Sequence, residues 1–296
     1  LSRALLATYT GHAKYSTYRR LVRQVPYSDF RTHRIINIGW YGTLPTVAKA
    51  GTYTALTTPT DREETIALAK KGGLEDITLE DMLNDDLALW QTIIARLGQA
   101  AMETRFDVVL KLIRKATQPT MADTYALTDA GRTPKNQSGV ALSADAAGKT
   151  AFINAIVEMA SGTGGGGQKK GVIPAHCVIP LQLLEAYSYV AGELKAGNTG
   201  TDVPKAIMEV LEAAIPGAVI DWGATDANDW FLLADPTEAE VIRFATLGMR
   251  NEPEIFVADD ERFGTMFTND KIQLKIRDIF AAAAVDPLGI QGNVLV

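Results

Sequence analysis

The chain has 296 residues, of which 47% are hydrophobic and 22% are charged, and its formal net charge is −6. These values are ordinary for a globular protein with a substantial buried core, in one large domain or two smaller ones. An acidic chain gains no counterion-release free energy from phosphates, which argues against a dedicated nucleic-acid binder. No apolar run of about eighteen residues is present for crossing a membrane, and the single cysteine, Cys177, excludes an intrachain disulfide.

The first 30 residues combine tyrosine and basic side chains with little apolar periodicity. Their basic residues include Arg19, Arg20 and Arg23. This composition is typical either of an arm that lies over another surface or of an ordinary amphipathic first helix. The sequence starts at Leu1 rather than Met, as expected of a trimmed chain or of one whose leading segment a protease has removed.

Residues 31–75 predict a long hairpin with few large apolar side chains. Residues 35–38 are β-prone, 51–58 alternate weakly, and 65–69 return as a strand after a turn at 59–61. A hairpin this poor in core residues would be marginal by itself. We therefore expect it to pack on a neighbouring chain.

Residues 78–116 give the strongest helical pattern, with apolar side chains recurring every three or four positions. Thr78 is predicted to cap this helix, and Asp85 and Asp86 then lie near the positive end of its dipole. About 35 helical residues would extend roughly 50 Å. That length is large for a compact domain, unless Gly98 breaks the helix.

Residues 117–142 are polar and rich in proline and glycine, which predicts a loop. Ser143 is predicted to cap a second helix. Residues 162–171 then predict a flexible glycine-rich loop with Lys169 and Lys170 exposed.

From residue 172 onwards, the pattern alternates between strands and helices. Helices are predicted over 181–194 and over 204–214, the second with Pro204 at the favoured first position. Strands are predicted over 177–179, 218–222, 230–234, 240–247, 254–257, 263–267, 272–276 and 281–285.

One short motif raises nucleotide binding as an alternative function. Gly148, Lys149 and Thr150 match the end of the phosphate-binding pattern GxxxxGK[ST], but Ser143 stands where the first glycine belongs. Without that glycine, the backbone cannot easily curl its N–H groups around phosphates. A helix cap at Ser143 is the simpler interpretation, and a soluble α/β enzyme using Lys149 and Thr150 is the alternative.

The sequence predicts no catalytic residues, metal ligands or cofactor, and therefore no enzyme. His176 and Cys177 are neighbours on a predicted strand, where adjacent side chains point to opposite faces. Three histidines and one cysteine show no metal-ligand spacing. The carboxylates at 226–229 and 259–261 fit turns better than a converging acid–base pair.

Two sets of short motifs occur in a recognisable order. The C-terminal third carries Trp230-Phe231-Leu232-Leu233-Ala234-Asp235-Pro236, Leu247-Gly248, Glu252-Pro253-Glu254, Phe263-Gly264, Lys271-Ile272-Gln273-Leu274, Val285-Asp286 and Gly292-Asn293-Val294. The N-terminal half carries Leu44-Pro45-Thr46-Val47, Gly51-Thr52-Tyr53, Ile77-Thr78-Leu79-Glu80-Asp81, Asn84-Asp85-Asp86-Leu87 and Gly98-Gln99-Ala100-Ala101.

This ordered combination resembles the major capsid proteins of tailed bacteriophages, particularly the Mu-type major head subunits. One departure is that many relatives carry a glutamate before the hairpin glycine, where this chain has Lys49 and Ala50. The resemblance implies an α+β class and the Johnson fold, with a long spine helix and an extended β-hairpin loop. It implies an N-terminal arm (1–30), an extended loop (31–76), a peripheral domain with the spine helix (77–171), an axial domain (172–252) and return strands of the peripheral domain (253–296).

The resemblance implies a structural function. The protein would self-assemble into pentamers and hexamers of the icosahedral head shell that encloses phage DNA. It would reside in the virion after assembly in the host cytoplasm. Implied partners are copies of itself, portal, scaffold, maturation protease and decoration proteins, and packaged DNA in non-specific contact, with no membrane. Another virion structural part, such as a decoration protein, is a further alternative.

The predicted subunit-interface residues are charged or aromatic and lie outside the predicted core. They are Arg19, Arg20, Arg23, Lys49, Tyr53, Asp85, Asp86, Lys169 and Lys170. Some shells of this family also carry an isopeptide bond between a lysine of the extended loop and an asparagine of a neighbour. Lys49, Lys70 and Lys71 would be the candidate donors, and Asn136 or Asn293 the acceptors.

Overall fold

A computed structural model describes residues 13–38, 44–56, 61–78, 80, 88–133, 135–162, 171–196, 215–248, 250–260, 262 and 264–295. Several predictions concern other parts of the chain. Outside the described residues lie residues 1–12 of the predicted arm, the helix at 204–214, most of the glycine-rich loop at 162–171, and Asp85, Asp86, Lys169 and Lys170.

The described residues form helices and strands in mixed order. The helices are Ala13–Ser16 (α1), Ala88–Ile113 (α2), Ala146–Ser161 (α3), Leu184–Ala196 (α4) and Thr265–Asn269 (α5). The strands are Val22–Tyr27 (β1), His33–Ile38 (β2), Asp61–Ile66 (β3), Ala69–Thr78 (β4), Gln137–Ser138 (β5), Pro174–Pro180 (β6), Gly217–Asp221 (β7), Trp230–Ala234 (β8), Ile242–Leu247 (β9), Glu254–Ala258 (β10), Lys271–Ala284 (β11) and Ile290–Asn293 (β12).

One five-stranded sheet is organised around β11, which has 14 residues. One edge of β11 pairs with β4, and the other edge pairs with β10 and then with β9. The prediction of two separate strands at 272–276 and 281–285 is wrong, because a single strand can pair with all three partners in turn. The strand predicted over 263–267 is also wrong, since Thr265–Asn269 is a short helix.

A second sheet has the strand order β5-β12-β8-β6-β7. All five residues of β8 are buried, and Trp230 stacks on Phe152 of α3 with ring centroids 5.6 Å apart. Helices α3 and α4 pack against this sheet. The cap of α3 is Asp145 rather than Ser143, because the Asp145 carboxylate accepts the Gly148 N–H at 2.8 Å.

The long helix α2 packs against a core that both large sheets share, and against β11. Its 26 residues extend about 39 Å. Gly98 lies inside the helix without breaking it. Thr78, predicted to cap the helix, is the last residue of β4 and pairs with Lys271. Residues 79 and 81–87 lie outside the described part of the chain, so the cap stays a prediction.

The predicted arm is packed on its own chain from residue 13 onwards. Tyr15 contacts Phe106 of α2 edge-on at 5.5 Å, and Tyr18 lies 5.4 Å from Phe244 of β9. Strand β1 pairs in parallel with β9. These tyrosines are part of the main core, so residues 13–27 of the predicted arm pack on their own chain.

The base of the predicted hairpin also has its own core. Strands β2 and β3 pair antiparallel, and Ile35, Ile66 and Leu68 are buried against Ile279 and other residues of the β11 sheet. The expectation of a hairpin without a core is therefore wrong at its base. Asp61, predicted in a turn, pairs with Ile38, and the strand predicted over 51–58 is absent from its described part, 51–56.

A buried ion pair fixes α2 to β11. The Arg105 guanidinium donates two hydrogen bonds of 2.7 Å to the Asp278 carboxylate and one of 2.5 Å to the Asn251 carbonyl. The guanidinium lies 5.6 Å from the Phe244 ring and 5.4 Å from the Phe280 ring. Arg105 is 1% exposed, so either charge left alone there would lack both solvent and partner.

Replacing Arg105 with Met should lower the free energy of unfolding by about 3–5 kcal/mol, because Asp278 becomes an unpaired buried charge. Urea denaturation of unassembled subunits measures this. Arg23→Met is the matched control, since the Arg23–Glu240 pair at 3.3 Å is largely exposed on the arginine side and should cost about 0–1 kcal/mol. The double change Arg105→Met with Asp278→Leu should recover part of the loss. Equal effects of Arg105→Met and Arg23→Met would contradict the assignment.

A second arginine joins the end of α2 to the second sheet. Arg114 donates to both carboxylate oxygens of Asp221, at the end of β7, at 2.7 and 2.6 Å, and to Asp107 at 2.7 Å. Burial alone would raise the pKa of Asp107, but hydrogen bonds from Lys111 and Arg114 outweigh it and lower that pKa below its ordinary value. Burial alone would lower the pKa of Arg114, but the hydrogen bonds to Asp221 and Asp107 outweigh it and raise that pKa above its ordinary value.

The lowered pKa of Asp107 predicts a defined acid dependence. Its contribution to stability is fully present above about pH 4 and is lost as the pH falls through the folded-state pKa. Asp107→Asn should therefore lose less stability than the wild type between about pH 4 and pH 2, while being less stable at pH 6. Urea unfolding at a series of pH values tests this, and identical pH profiles for both proteins would refute it.

Candidate subunit interface

The segment 44–56 is the most exposed described part of the chain that carries large apolar groups. Leu44 is 76% exposed and Tyr53 is 84% exposed. The segment turns tightly at Gly51, whose N–H donates to the Ala48 carbonyl at 2.8 Å. Ala50 adopts a left-handed φ of 63° at this turn, a conformation that costs a residue with a Cβ roughly 1–2 kcal/mol. Lys49, also predicted at an interface, is exposed beside it.

A set of polar contacts, called the clasp below, holds the base of the hairpin against residues that follow α2. The Glu64 carboxylate accepts the Ala122 N–H at 2.7 Å. Arg132 donates to Asp123, and Arg62 lies 3.8 Å from the same carboxylate. Burial, and then the nearby Arg62, lower the pKa of Arg132, although Asp123 opposes both. The clasp thus connects β3 to residues 122–132, which follow α2 in the chain.

Sequence reasoning did not find this clasp. Glu64 and Ala122 are 58 residues apart along the chain. The loop residues have the composition of ordinary turns. The one available signal was an arginine within a polar loop, Arg132, which is only 3% exposed.

A groove of about 560 Å³ lies between α2 and the β4–β11 pair. Leu97, Ala100 and Ala101 line the helix side, and Gly72 and Gly73 line the strand side. A Cβ at Gly72 would lie 2.2 Å from the Ile276 carbonyl oxygen, so only glycine permits this strand pairing. At Gly73, a Cβ would have nothing within 4 Å.

Lysines and apolar groups complete the groove. Lys70 and Lys71 lie at its rim, and Ile276 and Phe280 belong to its lining. The Lys71 ammonium lies 5.5 Å from the Phe280 ring centroid, and the Lys70 ammonium lies 5.3 Å from the Phe30 ring centroid. The groove is therefore mainly apolar with a cationic rim, and the Asp278 carboxylate in its lining is paired with Arg105.

The predicted basic interface residues are on a different element from Lys49 and Tyr53. Arg19 and Arg20 are exposed in the turn of 3-10 helix at Thr17–Arg20. Arg23 lies in β1 and pairs with Glu240. The structure therefore supplies an exposed basic surface on the N-terminal segment, next to the β1–β9 pairing.

The predicted phosphate-binding motif is part of a helix. Gly148 donates its N–H to Asp145, and the Thr150 hydroxyl donates to the Ala146 carbonyl at 2.9 Å. The Lys149 ammonium lies 3.9 Å from the Glu193 carboxylate. A Cβ on Gly148 would lie 1.9 Å from the Ser143 carbonyl oxygen, so this glycine serves chain packing rather than a nucleotide.

The thiol and the candidate isopeptide asparagines are buried. Burial raises the pKa of Cys177 far above its ordinary value, which disfavours a thiolate. Burial also lowers the pKa of the neighbouring His176. Asn136 donates its amide to the Leu127 and Pro287 carbonyls at 2.8 Å, and Asn293 has no exposed surface. These asparagines are therefore structural in the isolated subunit.

A second cavity, of about 350 Å³, lies where β6 and β7 end beside the end of α2. Its arginine and lysine are already bound, since Arg114 pairs with Asp221 and Lys115 donates to the Thr128 carbonyl at 2.7 Å. Burial, and then Asp226, raise the pKa of Asp229 in its wall. The cavity's described lining holds neither histidine nor cysteine.

Two kinds of feature are absent from the described residues. No group of three or more histidine, cysteine or carboxylate residues there could hold a metal ion. Among the helices that the structure describes, none has both the length and the apolar character needed to cross a bilayer.

Solved structures with a similar fold include chains from two phages and from a virus-like particle. A chain from Mycobacterium phage Bobi is 15% identical, with a TM-score of 0.59, and the match covers 95% of this chain and 90% of that one. A chain from the capsid of Cyanophage P-SCSP1u is 12% identical, with a TM-score of 0.60 and coverage of 94% and 88%. A virus-like particle from Pyrococcus furiosus gives 11% identity, a TM-score of 0.52 and coverage of 99% and 96%.

These similarities confirm the predicted α+β fold, with its long helix, hairpin and mixed sheets, as the Johnson fold of phage capsids. At such low identity, they establish the fold alone. No curated protein matches the sequence. None of these comparisons tests the Mu-type assignment, which stays a prediction.

The sequence itself supplies the family. A family model described as phage capsid protein matches residues 62–293, which include the strands of both large sheets except β1. Since this match spans most of the chain, the chain belongs to the phage capsid protein family.

Proposed function

We propose that this capsid protein is the major subunit of an icosahedral head shell, which assembles from pentamers and hexamers of the chain around phage DNA. The family match over residues 62–293 carries the proposal. The exposed segment 44–56 supports it, because Tyr53 is 84% exposed and so adds little buried apolar surface to an isolated subunit. Contacts between different patches on neighbouring copies can close into rings and then a finite shell.

We further propose the domain division that the resemblance implies. The peripheral domain would comprise residues 77–171 and 253–296, and the axial domain residues 172–252. The two would share extensive buried contacts, because α3 packs against α4 and the β8 sheet and β9 pairs with β11. Residues 1–30 would then be the arm and residues 31–76 the extended loop.

The remaining proposals concern chemistry and partners. The protein would be structural rather than enzymatic, since it belongs to a capsid family and its one thiol is buried. It would assemble in the host cytoplasm and reach the virion with portal, scaffold, maturation protease and decoration proteins. Exposed Arg19 and Arg20 would allow non-specific contact with packaged DNA.

Shell formation is tested by expressing the full chain and examining it by electron microscopy and analytical ultracentrifugation. We expect capsomers or closed particles. Replacing residues 46–54 with a glycine–serine linker of equal length should abolish closed particles, because it removes the exposed contacts of the hairpin segment. The thermal unfolding midpoint of the subunit should change by less than about 4 °C, since the hairpin base keeps its own core.

Two results would oppose the proposal. The first is a wild-type chain that stays strictly monomeric at high concentration. The second is a linker variant that forms closed particles as readily as the wild type.

A further inference from the structure

The clasp at the base of the hairpin contains two arginines that share one carboxylate oxygen. Nη1 of Arg132 donates a hydrogen bond to Oδ2 of Asp123, and Nη2 of Arg62 lies 3.8 Å from the same oxygen. Two guanidinium groups that approach one atom lie next to each other and repel. Burial lowers the pKa of Arg132 more than Asp123 raises it, and Arg62 lowers it further. The shared carboxylate therefore does not offset both positive charges.

Each of these arginines also has a buried nitrogen that finds no hydrogen-bond acceptor among the described residues. The two atoms are Nε of Arg132 and Nη1 of Arg62. The other nitrogens of Arg132 have acceptors, since Nη1 donates to Asp123 and Nη2 donates to the Ala126 carbonyl at 2.6 Å. A buried donor without an acceptor is unfavourable, and more so when the donor group is charged. The clasp therefore has room in its hydrogen bonding for one more acceptor.

Two further carboxylates of this region bind backbone groups instead. Glu64 accepts the Ala122 N–H at 2.7 Å, and Asp129 accepts the Gly131 N–H at 2.8 Å. These negative charges would repel a polyvalent anion such as phosphate more strongly than a singly charged one. The surroundings of the two arginines therefore favour a monovalent acceptor.

We propose that one small monovalent anion, of the size of chloride, binds between the guanidinium groups of Arg62 and Arg132. The anion accepts the N–H groups of Arg132 Nε and Arg62 Nη1 and reduces the repulsion between the two positive charges. All the residues that form the site belong to one subunit. The inference is therefore independent of the proposed shell function.

The burial of the two arginines determines which anion can enter. The Arg132 side chain is 1% exposed, and its guanidinium lies 5.7 Å from the centroid of the Tyr125 ring. An acidic side chain of another molecule cannot reach Nε of Arg132 without opening the clasp. The Arg62 side chain is 25% exposed, which leaves a path from solvent for a single small ion.

The anion would strengthen the attachment of the hairpin base. Arg62, Glu64 and Ile66 alternate along β3, so they share the face that packs on the rest of the subunit. Ile66 is buried at one end of this face, and Arg62 lies at the other end. Because the anion binds only the closed clasp, it shifts the equilibrium towards the attached position of β3.

Thermal unfolding of the unassembled full chain tests the site, with chloride as the probe. Sodium chloride and sodium gluconate are compared at equal concentration, because gluconate screens charges equally but is too large for the site. A chloride concentration about ten-fold above its dissociation constant multiplies the ratio of folded to unfolded protein about eleven-fold. We expect an unfolding midpoint about 2–3 °C higher in chloride than in gluconate.

Two matched variants separate this site from general salt effects. Arg62→Gln removes one of the two guanidinium groups and should abolish the chloride-specific shift. Arg34→Gln removes an arginine whose side chain is 73% exposed on the neighbouring strand β2 and should keep the whole shift. Both variants lose one positive charge from the same hairpin, so general effects of salt are equal in the two.

Chloride NMR measures binding to the wild type without unfolding it and without any variant. The folded subunit should broaden the chloride resonance, and added bromide should remove that broadening by competing for the site. Broadening that bromide does not reduce would indicate only weak contacts with the surface and would contradict the proposal.

Two results of the unfolding experiment would overturn the anion site. One is a wild-type midpoint that is equal in chloride and gluconate, which would mean that water serves the two N–H groups. The other is a full chloride-specific shift in Arg62→Gln. Both leave the shell function intact, because the measurement is made on unassembled subunits.

Discussion

The buried pair of Arg105 and Asp278 is the constraint on which the arrangement of the first sheet depends. It fixes α2 against β11, and β11 is the strand on which β4, β9 and β10 are aligned. Flanking rings of Phe244 and Phe280 keep water from the pair. A shift of α2 along β11 would separate two charges in a site without solvent, so the helix has one permitted position.

The fixed position of α2 affects both the groove beside it and the base of the hairpin. The groove lies between α2 and β11, so its width is set by the same ion pair. The hairpin base packs on Ile279, next to Asp278 in the strand, and its direction is then held by the clasp at Asp123. Contacts that repeat around a ring need surfaces held at fixed positions, because each error in angle would accumulate from copy to copy.

Sequence reasoning located the elements whose pattern is local. It placed β8 at residues 230–234 and identified the helix around residues 88–113, because burial of a whole strand or one face of a helix leaves a periodic trace. It did not find β4, whose Gly72 and Gly73 are poor strand formers by composition. That strand exists because Gly72 lets the backbone approach Ile276 closely, a long-range requirement that no local pattern encodes.

The candidate interface was predictable only in part. Tyr53 and Lys49 could be chosen from a segment poor in core residues, and both are exposed. The packing of Tyr15 and Tyr18 on their own chain could not be predicted, because their partners Phe106 and Phe244 are far along the chain. The groove could not be foreseen at all, since it is defined by missing side chains on two elements that meet only in the folded protein.

The topology also determines at which stage of its synthesis the chain can fold. Strand β1 pairs with β9, and β4 pairs with β11, so residues near 25 and 75 wait for partners near 245 and 275. Contacts this distant in sequence slow folding and cannot form while the later strands are still inside the ribosome. Nascent chains on one polysome therefore cannot present completed surfaces to one another, which separates translation from particle growth.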